Sequence, residues 1–315
     1  MLYSIVVPVF NSSKTINELY DRIKLVFENS IKEDFELILV NDASKDESLS
    51  IIRNLCDKDS RVKYIHLARN HGQQKAVLCG IEHSSGDYVI TMDDDLQHPP
   101  EEIPKLIEKM ESDSKIDVVI GMYDSKKHNG VRRFGTKLLD LLSDMVFKKD
   151  KGLRLTSFRL MKSFVADNLS EVNLKSPTVG HCLLMVDGNI VNTEVRHDAR
   201  KNGRSGYSFR NLVKTFMGNV YVNSDLPLRI VGHIGVASAF ISLILALYYL
   251  IRYISGHVSV SGWTTLVLIV LFMNGLLLFS VGVMGKYLMV NINETKRLPK
   301  YSIKEKNIDR QRGQK

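Results

Sequence analysis

Apolar, β-branched segments alternate with amphipathic stretches along the first part of this chain, and this alternation constrains the fold most. The amphipathic stretches between the apolar runs place their apolar residues at helical spacing. Strands that alternate with helices form βαβ units, so the pattern predicts a largely parallel sheet covered by helices on both faces. We expect the strands at residues 2–9, 35–40, 62–67, 88–92 and 118–122.

Polar residues follow four of these strands directly: Asn11, Asp42, Arg69 and the three aspartates 93–95. Ligands of parallel sheets bind beyond the carboxyl ends of the strands, so these residues should share one site. Three adjacent carboxylates repel one another. A Mg²⁺ or Mn²⁺ ion would relieve that repulsion and keep positions open for substrate phosphates. A solvated acidic turn is the alternative interpretation of the three aspartates.

The usual glycine-rich nucleotide motifs are absent from the sequence. It contains neither the GxGxxG string of dinucleotide-binding folds nor the GxxxxGK[ST] string of P-loops. A nucleotide would therefore have to be held by other side chains at the strand ends.

Several spaced strings resemble the inverting glycosyltransferases of family 2, which have the GT-A fold. The resemblance extends over nearly the whole chain and is greatest for the polyprenyl-phosphate branch. That branch includes dolichyl-phosphate mannose synthases, bactoprenol glucosyltransferases and undecaprenyl-phosphate aminoarabinose transferases. The strings that carry it are IVVPVFN (5–11), ELILVNDASKDES (36–48), LARNHGQQKAVLCGI (67–81), TMDDDLQHPPEEI (91–103), SFRLM (157–161), HDARKNGRSGYSF (197–209) and DLPLRI (225–230).

This resemblance implies a role for each matching residue. Asp93, Asp95 and Gln97 would hold a Mg²⁺ or Mn²⁺ cofactor, and Asp94 would lie near the ribose or the donor sugar. The residues expected to bind the nucleotide sugar are Pro8, Asn11, Asp42, Ser44, Arg69 and Lys75, together with Asp93 and Asp94. Those expected to bind an acceptor phosphate are Arg133, Arg159, Arg200 and Ser205. Asp93, Asp95, Arg159 and Arg200 would form the catalytic set, although a surface salt bridge is the alternative role for each arginine.

The sequence departs from its relatives at two positions. Many relatives have a lysine where this chain has Gly206, so Arg204 or Arg210 would have to substitute for it. Some bactoprenol glucosyltransferases have an aspartate where this chain has Ser157. A catalytic carboxylate at that position therefore cannot be carried over to this chain.

Two runs, at residues 230–251 and 263–284, contain 22 residues each and no Lys, Arg, Asp or Glu. At ~1.5 Å per helical residue, each run is long enough to cross a hydrocarbon core of ~30 Å. A helical hairpin buried in a protein core is the alternative. We therefore expect a GT-A domain over residues 1–225, a transmembrane hairpin over 226–290 and a solvated, disordered basic tail over 291–315.

The distribution of basic residues predicts the orientation of this hairpin. The loop 252–262 carries one basic residue, whereas nine follow the second run. Basic segments stay on the cytoplasmic side, so the catalytic domain and both termini should be cytoplasmic in a multi-pass protein of the plasma (inner) membrane. We predict no signal peptide, because Met1 leads directly into a strand without a basic region. The three cysteines, Cys56, Cys79 and Cys182, show no CxxC spacing and fit a reducing compartment.

A net charge of +8 could indicate nucleic acid, but much of the basic excess lies in the tail beside an apolar run, where anionic lipid explains it. We therefore predict no nucleic-acid partner. Residues 131–147 and 208–222 read as amphipathic helices that lie in the membrane interface. Packing against the sheet domain or a sister subunit is the alternative for each.

The sequence thus predicts a metal-dependent, inverting enzyme that transfers one sugar from a nucleotide sugar to a polyprenyl phosphate such as undecaprenyl phosphate. A UDP-sugar is the favoured donor and a GDP-sugar the alternative. Relatives often form tetramers, so the resemblance allows a homo-oligomer. A processive polysaccharide synthase is the alternative enzyme, although that class usually has more spans and a QxxRW string, which this sequence lacks. A non-catalytic membrane scaffold that binds a nucleotide sugar is the alternative outside enzymes.

Overall fold

The computed structural model describes residues 1–123, 153–172, 178–186, 188–198, 226–255, 262–295 and 299–308. Its internal contacts divide the chain into two units, a sheet domain and a unit that contains the two long helices. Each is described by itself.

A mixed sheet forms the centre of the first unit. In the described residues it has eight strands in the order β7-β5-β6-β4-β1-β2-β3-β8. The neighbours among β4, β1, β2 and β3 are parallel, as are β5 and β7, whereas β6 and β8 are antiparallel to their neighbours. The strands are β1 (Leu2–Val9), β2 (Asp34–Asn41), β3 (Val62–Leu67), β4 (Tyr88–Thr91), β5 (Val118–Met122), β6 (Arg159–Lys162), β7 (Ile190–Glu194) and β8 (Ile303–Lys306).

The helices of the sheet domain follow the predicted alternation closely. A π-helical turn, Phe27–Ile31, extends the first helix, and a 3₁₀ turn, Pro100–Glu102, precedes the fourth. The N-cap of the first helix is Thr15, and the Ser13 amide donates to Asp46 Oδ2 at 3.1 Å. The helices are α1 (Ile16–Val26), α2 (Ser48–Lys58), α3 (Gln73–Glu82), α4 (Ile103–Glu111), α5 (Ser163–Glu171) and α6 (Val179–Leu183).

Two hydrophobic cores lie on opposite faces of the sheet. Alternate residues of β1 show the separation, since Ile5 and Val7 belong to one core and Val6 to the other. The first core includes residues of α1, α2 and α4, and the second includes residues of α3, α5 and α6. The expected covering of both faces is therefore confirmed. Cys79 and Cys182 are buried in the second core, and all three cysteines are free thiols.

Strands β6 and β8 were not among the strands that the sequence predicted. β6 begins at Arg159 and runs antiparallel to β4. The tail was expected to be disordered, but β8 pairs antiparallel with β3 and Ile308 is buried. Backbone pairing along an open sheet edge explains this, because it satisfies N–H and C=O groups whatever the charge of the side chains.

The second unit contains two long helices, α7 (Leu226–Ile254) and α8 (Trp263–Thr295). An 18-residue window has a mean hydropathy of 1.9 in α7 and 1.3 in α8, so each helix is long and apolar enough to cross a membrane. Most of their described apolar side chains are exposed, unlike those of the sheet core. Asn274, which is polar and lies mid-helix, donates from Nδ2 to the Val270 carbonyl of its own helix.

Candidate active site

An open cleft of about 280 Å³ lies beyond the carboxyl ends of the parallel strands. Three of its lining residues come from the end of β1, one follows β2, three follow β3 and three follow β4. Because these strands are parallel neighbours, their ends bring distant sequence segments to one edge. The lining residues are Pro8, Val9, Phe10, Asp42, Asn70, Gly72, Gln73, Asp93, Asp94 and Asp95.

Asp42 anchors one wall of this cleft. Its carboxylate is buried and accepts the backbone N–H of His71 at Oδ1 (2.6 Å) and of Gly72 at Oδ2 (2.8 Å). Gly72 has φ +89°, a conformation that glycine adopts without strain. The end of β2 thereby holds the loop after β3 in place.

Asn11 and Ser44, two of the residues expected to bind the nucleotide sugar, meet beside this wall. The Asn11 amide donates to Ser44 Oγ at 3.0 Å, and Asn11 Oδ1 accepts the Lys45 amide at 2.8 Å. Both turns contain a left-handed residue, Asn11 at φ 54° and Ala43 at φ 56°. Of the other expected donor ligands, Pro8 lines the cleft, whereas Arg69 and Lys75 lie in the adjoining loop and helix and are not among its lining residues.

Asp93 and Asp94 have different surroundings although they are adjacent. Asp93 accepts Gln73 Nε2 at Oδ1 and Ser157 Oγ at Oδ2, each at 2.6 Å. Asp94 accepts the Ser12 hydroxyl and, at 3.3 Å, the Phe10 amide. Burial of the Asp94 carboxyl raises its pKa to about 6 despite those two hydrogen bonds. Asp94 therefore fastens the β1 turn to the β4 turn.

Asp95 and Gln97 continue the turn after β4. The Gln97 amide donates to Asp95 Oδ1 at 3.1 Å, around Leu96 at φ 60°. The Gln97 carbonyl accepts the Asp198 amide at 2.9 Å, so the segment after β7 docks on this turn.

Arg159 occupies a buried position close to the aspartates. It begins β6, where its backbone pairs with Thr91 of β4, and only 4% of it is exposed. Burial lowers the pKa of its guanidinium to about 10, while the charge of Asp93 acts in the opposite direction. Its Nε has no hydrogen-bond partner among the described residues. The buried cation therefore has hydrogen-bonding capacity left for an anionic ligand.

Comparison with known proteins now identifies the family. The family model for glycosyl transferase family 2 matches residues 4–170, a span that includes the cleft lining and Arg159. The chain belongs to glycosyl transferase family 2. It is a glycosyltransferase, as the sequence motifs predicted, and its α/β domain has the expected GT-A-like architecture.

Two curated relatives match this transferase along almost its whole length. A prophage bactoprenol glucosyl transferase homolog of Escherichia coli (strain K12) is 30% identical over 309 residues, which are 96% of this chain and 99% of the relative. The undecaprenyl-phosphate 4-deoxy-4-formamido-L-arabinose transferase of Shewanella sediminis is 31% identical over 308 residues, 96% and 91% of the two chains. Both names agree with the polyprenyl-phosphate branch that the motifs indicated.

A solved structure supports the fold at lower identity. Glucosyl-3-phosphoglycerate synthase from Mycobacterium tuberculosis, crystallised with Mn²⁺, UDP and phosphoglyceric acid, superposes with a TM-score of 0.50. The match is 18% identical and covers 70% of the transferase and 76% of that chain.

The oxygen ligands available in the cleft fit a divalent cation only in part. The carboxylates of Asp93 and Asp95 both line the cleft, and each carboxylate retains lone pairs beyond the hydrogen bonds it accepts. Within the described residues, however, no three His, Cys, Asp or Glu side chains form a complete metal-binding group. Such a partial set suits an ion that takes its remaining ligands from water and substrate phosphates, as Mg²⁺ commonly does.

Sequence reasoning missed His98, which is 5% exposed next to the aspartate turn. Its ring stacks on Phe158 with centroids 5.4 Å apart and meets His197 edge-on at 5.2 Å. Neither ring nitrogen has a hydrogen-bond partner among the described residues, and burial lowers the pKa of the imidazole. Its place in the QHPP string after the aspartates was the available signal.

Sequence reasoning also missed Gln73, which donates to one oxygen of the Asp93 carboxylate while Ser157 donates to the other.

Several predicted residues lie outside the described part of the chain. Among the acceptor residues these are Arg133, Arg200 and Ser205. The positions Arg204, Gly206 and Arg210 and the two amphipathic segments, 131–147 and 208–222, also lie outside it. Their roles stay predictions.

Proposed function

We propose that this transferase moves one sugar, with inversion, from a nucleotide sugar to a polyprenyl phosphate at the cytoplasmic face of the membrane. The observation that carries the proposal is the placement of Asp42, Asp93 and Asp95 around one cleft with the buried Arg159 close to Asp93. The names of the two full-length relatives support the acceptor class.

The Asp42 wall would bind the nucleoside of the donor. Asp42, Asn11 and Ser44 are held by backbone hydrogen bonds, so their positions are set before the ligand arrives. Such preorganisation reduces the entropy lost on binding. A UDP-sugar is the favoured donor, a choice supported by the fold shared with a UDP-binding synthase.

Asp93, Asp95 and Gln97 would hold a Mg²⁺ or Mn²⁺ ion. When bound, that ion would neutralise the charge that develops on the leaving diphosphate. Ser157 and Gln73 would orient Asp93, because each donates a hydrogen bond to a different carboxylate oxygen. Ser157 thus has a defined contact in a place where some relatives have an aspartate.

The acceptor would need positive partners more than a general base. The second pKa of a phosphate monoester is ~6, so its oxygen is already largely ionised at pH 7. Arginine suits such an anion because its planar guanidinium forms two-pronged contacts. Arg159 would contribute from the described part of the site, and Arg133, Arg200 and Ser205 are proposed to complete it.

The helices α7 and α8 would anchor the enzyme in the plasma membrane, with both termini and the catalytic domain cytoplasmic. Their length and hydropathy support the anchoring, and the basic residues after the second run support the orientation. In a variant without the three native cysteines, a cysteine in place of Gly256 should react with a membrane-impermeant thiol reagent added to intact cells. Lys315→Cys should not react, and the reverse labelling pattern would invert the topology.

A transfer assay tests the proposed reaction directly. Purified protein with undecaprenyl phosphate, Mn²⁺ and a panel of radiolabelled UDP- and GDP-sugars should give a labelled lipid with one sugar per chain from one donor. A ladder of longer products would indicate a processive synthase. Nucleotide binding without any labelled product would favour the non-catalytic scaffold.

A further inference from the structure

Within the described residues, Ser302 of the segment that contains β8 forms hydrogen bonds with the loop that lines the cleft. The backbone carbonyl of Ser302 accepts the Ala68 amide at 2.8 Å, and the Ser302 amide donates to His71 Nε2 at 3.2 Å. Ala68 and His71 lie within the loop after β3 that lines the cleft. Ser302 therefore bonds to both ends of a short stretch of that loop.

His71 continues this connection to the cleft wall. Its ring accepts from Ser302, while its backbone N–H donates to Asp42 Oδ1. The next amide, that of Gly72, donates to Asp42 Oδ2. His71 thus links Ser302, through its ring, to the carboxylate that anchors the proposed nucleoside wall, through its backbone N–H.

The ring of His71 must be neutral to accept from Ser302, with its proton on Nδ1. Burial lowers the pKa of His71, and the nearby charges of Arg69 and Lys75 lower it further, against the opposing effect of Asp42. The neutral ring is therefore the form present at pH 7, in agreement with the contact geometry.

Contacts on either side hold Ser302 in place independently of the loop. Before it, the Tyr301 hydroxyl donates to Glu82 Oε2 at 2.6 Å, and Lys300 Nζ donates to the Ser170 carbonyl. After it, the backbone of β8 pairs with β3 and Ile308 is buried, and neither contact depends on the Glu305 side chain. Because the segment is fixed on both sides of Ser302, it can serve as a rigid support for the loop that Ser302 contacts.

We propose that His71 is a positioning residue for donor binding and that the C-terminal segment 299–308 is the support against which it holds the Asn70–Gly72 edge of the cleft. The inference rests on the proposed function, because it takes the Asp42 wall as the site of the nucleoside. It adds that a segment following both long helices in sequence determines donor affinity without touching the donor.

The test measures UDP binding to the full-length protein in detergent by calorimetry in the presence of Mn²⁺. His71→Phe keeps a ring but removes the acceptor, and we expect it to weaken UDP binding about three- to tenfold, the effect of one lost neutral hydrogen bond. His71→Gln, whose carbonyl oxygen can accept in place of Nε2, should restore most of the affinity. In transfer assays His71→Phe should raise the donor KM and leave kcat and the acceptor KM nearly unchanged.

Glu305→Gln is the matched control, because it weakens contacts of the same strand with α2 and β3 but not with the loop. It should lower the melting temperature while leaving the Kd for UDP within about twofold. Hydrogen exchange of the 68–74 segment should become faster in His71→Phe and not in Glu305→Gln, and this readout applies even if a variant is less stable.

Each outcome has a defined meaning. If wild-type protein binds UDP and His71→Phe binds it equally well, with unchanged exchange in the 68–74 segment, the positioning role is wrong and the proposed function is unaffected. If His71→Phe and Glu305→Gln weaken UDP binding equally, the segment acts only through general stability, which also overturns the inference. If wild-type protein binds neither UDP nor GDP, the proposed donor site fails and the inference falls with it.

Discussion

The amino and carboxyl edges of the parallel strands differ in how far their buried polar groups are hydrogen-bonded by the protein. At the amino edge the buried Glu36 carboxylate is surrounded by protein donors, namely Ser4 Oγ at 2.5 Å, the Ser85 amide at 2.6 Å and Lys63 Nζ at 2.6 Å. At the carboxyl edge buried polar atoms have no hydrogen-bond partner among the described residues: Asn41 Nδ2, Arg159 Nε and both ring nitrogens of His98.

This difference indicates which edge is built to bind a ligand. A buried polar atom without a partner costs on the order of 1–3 kcal/mol, so a fold retains several of them mainly where a ligand or water completes the bonding. The raised pKa of Asp94 and the lowered pKa of Arg159 have the same origin, which is burial of charge beside the cleft. Perturbed groups gathered beside one cleft are typical of functional sites. At the amino edge, by contrast, the hydrogen-bonded Glu36 carboxylate contributes to stability.

The largest expected effect comes from Asp95→Asn at the carboxyl edge. Losing the charge of this proposed cation ligand should lower kcat by about a hundredfold or more, because stabilisation of the leaving diphosphate is worth several kcal/mol. The labelled-lipid assay with and without excess EDTA measures this effect. Asp34→Asn, the same change at an exposed amino-edge position, is the control. Near wild-type turnover of Asp95→Asn, or full wild-type activity in EDTA, would refute the metal assignment.

Asp42→Asn should act on donor binding. The carboxylate accepts two backbone amides, and an amide side chain would direct an N–H toward one of them. We expect the Kd for UDP to rise about ten- to a hundredfold, which corresponds to a charged hydrogen bond of ~1.5–3 kcal/mol. Calorimetry without acceptor measures it. An unchanged Kd with a raised acceptor KM would place the nucleoside elsewhere.

Arg159→Lys should act on the acceptor instead. An ammonium cannot reproduce the planar contacts of a guanidinium, so kcat/KM for polyprenyl phosphate should fall about tenfold while donor affinity changes little. A short-chain, water-soluble prenyl phosphate separates this effect from membrane docking, and Arg53→Lys at an exposed site is the control. If Arg159→Lys loses UDP affinity instead, the guanidinium belongs to the donor diphosphate.

Glu36→Gln should change stability and leave activity intact. Burial alone would raise the pKa of Glu36, but the hydrogen bonds from Lys63, Ser4 and Ser85 outweigh it, and the pKa lies below its ordinary value of 4.5. The ionised carboxylate therefore stabilises the folded state above pH 4.5, and this contribution disappears as the pH falls through the lowered pKa.

We expect Glu36→Gln to cost about 1–3 kcal/mol at pH 7 and less near pH 3, as measured by thermal unfolding. Glu33→Gln, at an exposed carboxylate of the same edge, should have almost no effect. A loss of transfer activity in Glu36→Gln at a temperature where it is folded would contradict the division of labour between the two edges.

The sequence predicted the strands well because their signal is local. Three predicted strands, at 2–9, 62–67 and 118–122, agree with β1, β3 and β5 to the residue, since apolar β-branched runs are bounded by polar turns. The antiparallel strands β6 and β8 were missed. Their pairing depends on partners far away in the sequence, so short segments such as Ile303–Lys306 carry no periodic signal of their own.

The sequence by itself indicated the family and placed the predicted site residues at the carboxyl edge, because motifs at strand ends are local and parallel strands gather their ends at one edge. The tertiary structure alone decided which neighbours differ in role. Asp93 accepts hydrogen bonds from Gln73 and Ser157, whereas Asp94 accepts one from Ser12 in the turn after β1. The run of three aspartates in the sequence does not predict this difference. The tertiary structure also brought Ser302 to His71, a pairing across 231 positions that only chain folding can specify. Burial and hydrogen-bond partners set the role of a polar side chain, and both are properties of the packed fold.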